Sequence, residues 1–158
     1  MNIFVKRKKF YLLLFLYSIF AILSALYIEF ILGFSACKLC LYQRIPFILS
    51  IFICFVGYQF TKNDIILISI IIVFTLNSIL SGYHVGIENN IFSELKACSG
   101  QNLENINKES ILNNLDNMPK NCKNVNFLIL GLSLSTLNFL SSLFITIFSI
   151  RTLIYEKN

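Results

Sequence analysis

The chain is short of charge. Only 13% of its 158 residues are Asp, Glu, Lys or Arg, while 56% are hydrophobic and the mean hydropathy is +0.74. A soluble domain carries about 25% charged residues, so half of the usual charge is missing. That excludes an ordinary soluble globular protein. It equally excludes a disordered chain, which needs low hydrophobicity. Histidine occurs once, at His84, methionine twice, at Met1 and Met118, and tryptophan nowhere. A metal-handling membrane protein needs more soft ligands than this. A structural zinc site needs four ligands at metal spacing, and there is one C-x-x-C and one histidine, so no metal is expected.

What is present is apolar and blocked. Phe10 to Phe34 carries a single charge, Glu29. A second block runs from Leu41 to Phe60, a third from Ile65 to Tyr83, a fourth from Val125 to Ile150. A helix needs roughly 20 apolar residues to cross the hydrocarbon core. Within lipid the backbone must satisfy its own hydrogen bonds, so blocks of this length read as helices. Strands of a membrane barrel would alternate with polar residues. The expected fold is an all-α, four-transmembrane-helix bundle forming one integral membrane domain. Its helices should cover about 10–34, 42–60, 65–84 and 125–150, with outer loops at about 35–41 and 85–124. Pro46 should sit near the start of the second helix, where a missing N–H costs little. The N-terminal run is far longer than the roughly 7–15 apolar residues of a cleaved signal peptide, and three more spans follow.

Lys and Arg set the orientation. Lys6, Arg7, Lys8, Lys9, Lys62, Arg151 and Lys157 fall on one side, four of them within nine residues. Lys38, Arg44, Lys96, Lys108, Lys120 and Lys123 fall on the other, most of them spread along a long loop. The density places both termini in the cytoplasm. The net charge of +5 is then mostly topology and calls for no nucleic acid.

Five cysteines remain, at 37, 40, 54, 98 and 122. Cys54 falls mid-helix and reads as an inert buried thiol. The other four fall in the two outer loops, the oxidising side, where disulfides persist. Cys37 and Cys40 form a C-x-x-C, a pair that makes a small, readily reduced disulfide. Lys38 and Arg44 supply positive charge expected to lower the thiol pKa. A Cys98–Cys122 bridge would close a loop of about 25 residues, worth roughly 3–4 kcal/mol of chain entropy. Two inert staples are the plain alternative. It suits Cys98 and Cys122 better than Cys37 and Cys40, which already sit at the mouth of two helices. Apolar residues at 103, 106, 111, 112, 115 and 118 have a rough helical spacing that suits an amphipathic helix on the outer surface. Asn77 and Asn138 lie in spans and suit helix–helix hydrogen bonds. Glu88 reads as a solvated loop acid.

The run Cys37-Lys38-Leu39-Cys40-Leu41-Tyr42-Gln43-Arg44-Ile45-Pro46 resembles the C-x-L-C-x-x-x-R stretch that opens the second helix of the bacterial disulfide bond formation protein B family, DsbB. Gly82-Tyr83-His84-Val85-Gly86-Ile87-Glu88 resembles a G-Y-H-x-G-x-E stretch of one branch, and Cys98-Ser99 and Cys122 ahead of the last helix complete the likeness. The resemblance implies a quinone-dependent protein-disulfide oxidoreductase of the bacterial inner membrane, with periplasmic redox loops. Such an enzyme reoxidises a periplasmic DsbA-like thiol oxidase and passes the electrons to the membrane pool of ubiquinone or menaquinone, sustaining disulfide bond formation. Carried onto this sequence, the partner's thiolate attacks Cys98 of a Cys98–Cys122 disulfide, Cys122 attacks Cys37, and Cys40 is left as a thiolate facing the quinone. Arg44 and His84 flank the quinone, and the chain is expected to act as a monomer. Arg44 stands at i+4 from Cys40, hence on the same helical face, where a guanidinium stabilises a thiolate or a developing oxyanion. A rival of the vitamin K epoxide reductase type should carry its C-x-x-C on a later helix. A disulfide-stapled scaffold should need no quinone.

Overall fold

The computed structural model describes residues 3–34, 36–93, 128–129 and 131–157. They form four helices: α1 (Ile3–Phe30), α2 (Lys38–Gln59), α3 (Asp64–Glu88) and α4 (Leu134–Lys157). A two-stranded antiparallel hairpin, β1 (Leu128–Ile129) and β2 (Leu132–Ser133), precedes α4. Each helix contains a stretch long and apolar enough to cross a membrane: 7–30, 38–59, 64–88 and 134–154. The all-α, four-span architecture expected from the sequence is the one found. α1 packs on α2, α2 on α3 and α3 on α4.

The helix ends differ from the composition-based bounds, and single residues explain each difference. α1 stops at Phe30, four residues before its apolar run does. The amides of Ile31 and Leu32 both turn back onto the Tyr27 carbonyl, and Gly33 takes a positive φ of 73° that reverses the chain. α2 begins at Lys38 rather than 42, because Cys37 is its N-cap. The Cys37 backbone is extended, and its sulfur accepts the Cys40 amide at 3.3 Å. Pro46 therefore lies inside the helix rather than at its start, at the cost of one backbone hydrogen bond. α3 is capped by Asn63, whose Oδ1 accepts the Ile65 amide, with Asp64 at the positive end of the dipole. It runs one turn past residue 84, to Glu88. There Asn90 adopts φ 60°, and the Ile91 and Phe92 amides close onto the Gly86 carbonyl. α4 starts nine residues later than its apolar block. Gly131, at φ 82°, turns the hairpin, and the Ser133 hydroxyl caps the new helix by accepting the Thr136 amide.

The outward faces carry Leu13, Phe20, Phe52, Leu76 and Phe144, each more than 60% exposed. In water that much apolar surface would drive association. Around a bundle of four spans it is the lipid-facing surface. The interior is held by close approach and by polar contacts, as expected where lipid offers no hydrophobic drive between helices. Ser18 and Ser50 join α1 to α2, with their hydroxyls 2.6 Å apart. A Cβ on Gly57 would stand 3.0 Å from both Tyr11 and Ile66, so glycine sets that approach. Phe47 meets Phe74 edge-on at 5.6 Å between α2 and α3. Cys54 is 1% exposed in this core, as its mid-helix position foretold. At the far end, Arg7 donates to the Thr61 carbonyl at 3.0 Å and to Asp64 at 2.7 Å, pinning α1 to the α2–α3 turn.

Asn77 and Asn138 make the interhelical contact expected of them. Asn77 Nδ2 donates to Asn138 Oδ1 at 3.2 Å and to Ser142 Oγ at 2.8 Å. Asn138 is a hub: it also donates to Gln43 at 2.9 Å and accepts from Ser142 at 3.3 Å. Interhelical hydrogen bonds in membranes average about 0.6 kcal/mol each. Asn138→Leu loses its bonds with Gln43, Asn77 and Ser142 and is expected to lower stability by about 2 kcal/mol. Denaturant unfolding in mixed micelles measures this; a wild-type midpoint contradicts it.

Candidate redox site

The Cys37 and Cys40 sulfurs stand 3.1 Å apart at the start of α2, with Cys37 donating. Cys37 is buried and Cys40 half-buried. The N-cap geometry produces this: Cys37 sits outside the helix with its sulfur turned over the first turn, where Cys40 presents both its amide and its thiol. The sequence spacing suggests lowered thiol pKa values, and for Cys37 the structure reverses that. Its thiol donates to Cys40, it is buried, and the two effects outweigh the nearby imidazole, so its pKa is pushed up from 9.0 to about 12.

Alkylation checks this. In the reduced protein, the labelling rate at Cys37 should keep rising with pH above the ordinary value of 9.0, toward about 12. Thiolate is the reacting form and its fraction grows until pH passes the pKa. A rate at Cys37 that levels off near 9.0, followed by peptide mass spectrometry, would contradict the assignment.

His84 comes to the thiols from α3. Its Nε2 lies 3.7 Å from Cys37 Sγ and 3.7 Å from Glu88 Oε1, one turn further along the same helix. Its Nδ1 lies 3.1 Å from the Gln43 carboxamide nitrogen. With that amide donating, the ring proton belongs on Nε2, facing Cys37 and Glu88. Gln43 in turn accepts from Asn138. A line of side chains thus runs from Asn77 through Asn138 and Gln43 to His84 and the sulfurs, crossing α2, α3 and α4. Cys37, Cys40 and His84 place their donor atoms within 4.8 Å of one another, close enough to share one metal ion.

Arg44 has a partner of its own. Its guanidinium pairs with Glu29 in the last turn of α1, both side chains mostly buried. Its charge, one turn from Cys40 along α2, is therefore shared with a carboxylate. Glu88 is not a solvated loop acid. Because α3 extends a turn further than composition indicates, Glu88 is 11% exposed, and its Oε2 accepts from Ser133 Oγ at 2.6 Å. Ser133 also lies 2.8 Å from Ser135 and 2.9 Å from Thr136. The cap of α4 is thereby tied to the end of α3. Cys98, Cys122 and the stretch 103–118 lie outside the described residues.

Gln43 was not anticipated from the sequence. It carries a signal nonetheless: a carboxamide in an apolar span is costly and needs a partner, and it stands at i+3 from Cys40. Glu29 gives the same signal in α1.

An uncharacterized protein of Rickettsia prowazekii (strain Madrid E), RP370, is 29% identical over 145 residues, which cover 89% of this chain and 84% of that protein. The sequence also matches the family described as disulfide bond formation protein DsbB over residues 7–152, a stretch that includes three whole spans, all but the end of the fourth, and the C-x-x-C with its histidine. This multi-pass membrane chain belongs to the DsbB family of disulfide oxidoreductases.

Proposed function

We propose that the chain is a membrane thiol:quinone oxidoreductase that reoxidises a DsbA-like dithiol partner on the periplasmic side of the inner membrane. One observation carries the reading beyond family membership: a dithiol with a histidine on its inner sulfur, set at one end of a four-span bundle. The Lys and Arg distribution supports cytoplasmic termini, which puts this end in the periplasm.

In this reading the partner's two thiols reduce a Cys98–Cys122 disulfide, and Cys122 then attacks Cys37 of the Cys37–Cys40 disulfide. Cys40 leaves as the thiolate, because Cys37 is the sulfur attacked. Cys98 then attacks Cys122 of the Cys37–Cys122 bridge, which remakes the Cys98–Cys122 disulfide and frees Cys37. Closing Cys37–Cys40 again releases two electrons and two protons. A bound quinone supplies an acceptor for both. The surroundings of Cys40 fit such a group: the residue is half-buried, and Leu41 and Ile45, which follow it along α2, expose apolar surface. Arg44 is the residue that would hold the quinone. His84 is proposed to act on the thiols instead of flanking the quinone. It is 2% exposed, and its two ring nitrogens face Cys37 with Glu88 on one side and Gln43 on the other. From there its Nε2–H is placed to donate to the Cys37 sulfur as a thiolate forms on it, and Glu88 is next in reach.

The test uses the protein purified in detergent, with a reduced DsbA-type partner. Loss of partner thiols should begin on addition of a soluble quinone and consume one quinone per disulfide made. No quinone-dependent oxidation by an intact, folded sample sinks the proposal and leaves the stapled scaffold as the better account.

A further inference from the structure

The geometry points to a second use of the same donors: we propose that the reduced Cys37–Cys40 dithiol and His84 form a binding site for one soft or borderline divalent ion, such as Zn²⁺ or Cd²⁺, which disulfide formation abolishes. The proposal does not rest on the quinone reading, since it needs only the reduced thiols and the imidazole.

A tetrahedral zinc site has Zn–S near 2.3 Å and Zn–N near 2.0–2.1 Å, which separates two sulfurs by about 3.8 Å and sulfur from nitrogen by about 3.5 Å. Here the sulfurs are 3.1 Å apart and Cys37 Sγ is 3.7 Å from His84 Nε2. All three donors fall within 4.8 Å of one another. A side-chain adjustment below about 1 Å, most of it in the half-buried Cys40, brings them to metal spacing. Glu88 Oε1 lies 3.7 Å from the same ring nitrogen but outside the set of three donors within 4.8 Å of one another, so the fourth position is left to water. The far nitrogen of the imidazole is held by Gln43. Partners of this kind orient ligands and raise affinity. For His84 to bind through Nε2 its proton moves to Nδ1, and the Gln43 carboxamide turns to present its oxygen there, giving up the hydrogen bond that oxygen accepts from Asn138.

Binding moves no electrons. Each thiol gives up a proton, two sulfur–metal bonds form, and the ion's charge is balanced by the two thiolates. Oxidation of the pair removes two electrons and joins the sulfurs, leaving no thiolate to bind. Metal and disulfide are therefore exclusive, and a bound ion holds the site reduced.

The experiment takes the full-length chain in detergent with Cys54, Cys98 and Cys122 replaced by alanine, so that two thiols remain. It is reduced, freed of reductant without air, and titrated with Cd²⁺ while the sulfur-to-cadmium charge-transfer absorption is followed. Zn²⁺ is then measured by competition with a chromophoric chelator. One ion per chain is expected, with both thiols protected from alkylation and no binding after the pair is oxidised. His84→Ala should weaken binding at least about tenfold. X-ray absorption at the zinc edge of the chain with His84 intact should show two sulfur neighbours and imidazole scattering, a result that does not depend on the variant folding. Failure to bind, binding that survives oxidation, or a zinc edge without imidazole scattering overturns the proposal. Affinity unchanged by His84→Ala in a folded sample overturns it too.

Discussion

Cys40→Ala is expected to lower quinone-dependent oxidation of the dithiol partner by about three orders of magnitude or more, to the rate of the uncatalysed reaction. Cys40 is the half-open sulfur of the pair, and Cys37 keeps its proton by donating to it. Without Cys40 no second sulfur lies beside Cys37 to close a disulfide. Cys54→Ala is the matching control. Cys54 lies fourteen residues further along α2, about 21 Å away by helical rise, and is 1% exposed in the core. Its rate should equal the wild-type rate once both proteins are shown to be folded. A Cys40→Ala protein that still turns over, or a Cys54→Ala protein that does not, would remove Cys40 from the centre of the chemistry. The measurement is the initial rate of partner oxidation with soluble quinone in excess.

His84→Ala should lower the turnover number by about a hundredfold, in the range found when a positioned acid–base group is lost. Gln43→Leu should cost about tenfold, as the loss of a partner that orients an imidazole does. The order matters more than the sizes. Gln43 touches neither sulfur; its contacts run to His84 Nδ1 and to Asn138. If it works by fixing the ring, Gln43→Leu on top of His84→Ala should add little, because its effect passes through a ring no longer there. A double variant as poor as the product of the two single losses would show that Gln43 acts independently. Gln43→Glu should also change the pH profile of turnover, since a carboxylate on Nδ1 favours a charged imidazole. A purely structural glutamine would leave that profile unmoved.

The spans were legible because lipid imposes a length and a composition that few other settings impose. Their ends were not. They depend on local events that composition averages away: a cysteine sulfur capping α2, Asn90 and Gly131 in left-handed backbone, a serine hydroxyl opening α4. The site divides in the same way. The spacing of Cys37 and Cys40 is a local fact, and so is the i+4 step to Arg44. Glu29 reaches Arg44 across 15 residues, Gln43 reaches His84 across 41 and Ser133 reaches Glu88 across 45. Such pairings require the order in which the helices pack. Counting ligands along the chain for the same reason disfavoured a metal centre, whereas the fold carries His84 to Cys37 across 47 residues.

Because each helix packs chiefly on its neighbours in the chain, the molecule also has a schedule. During synthesis α1 and α2 can pair through Ser18 and Ser50 as soon as both have entered the bilayer, and Arg44 meets Glu29 at the same moment. The two thiols of α2 are then already in place, but without an imidazole. His84 arrives with α3, and the Gln43 carboxamide gains Asn138 only when α4 is inserted. A nascent chain thus carries its thiols ahead of the groups that govern them, and the site is completed only when α4 joins the other three helices.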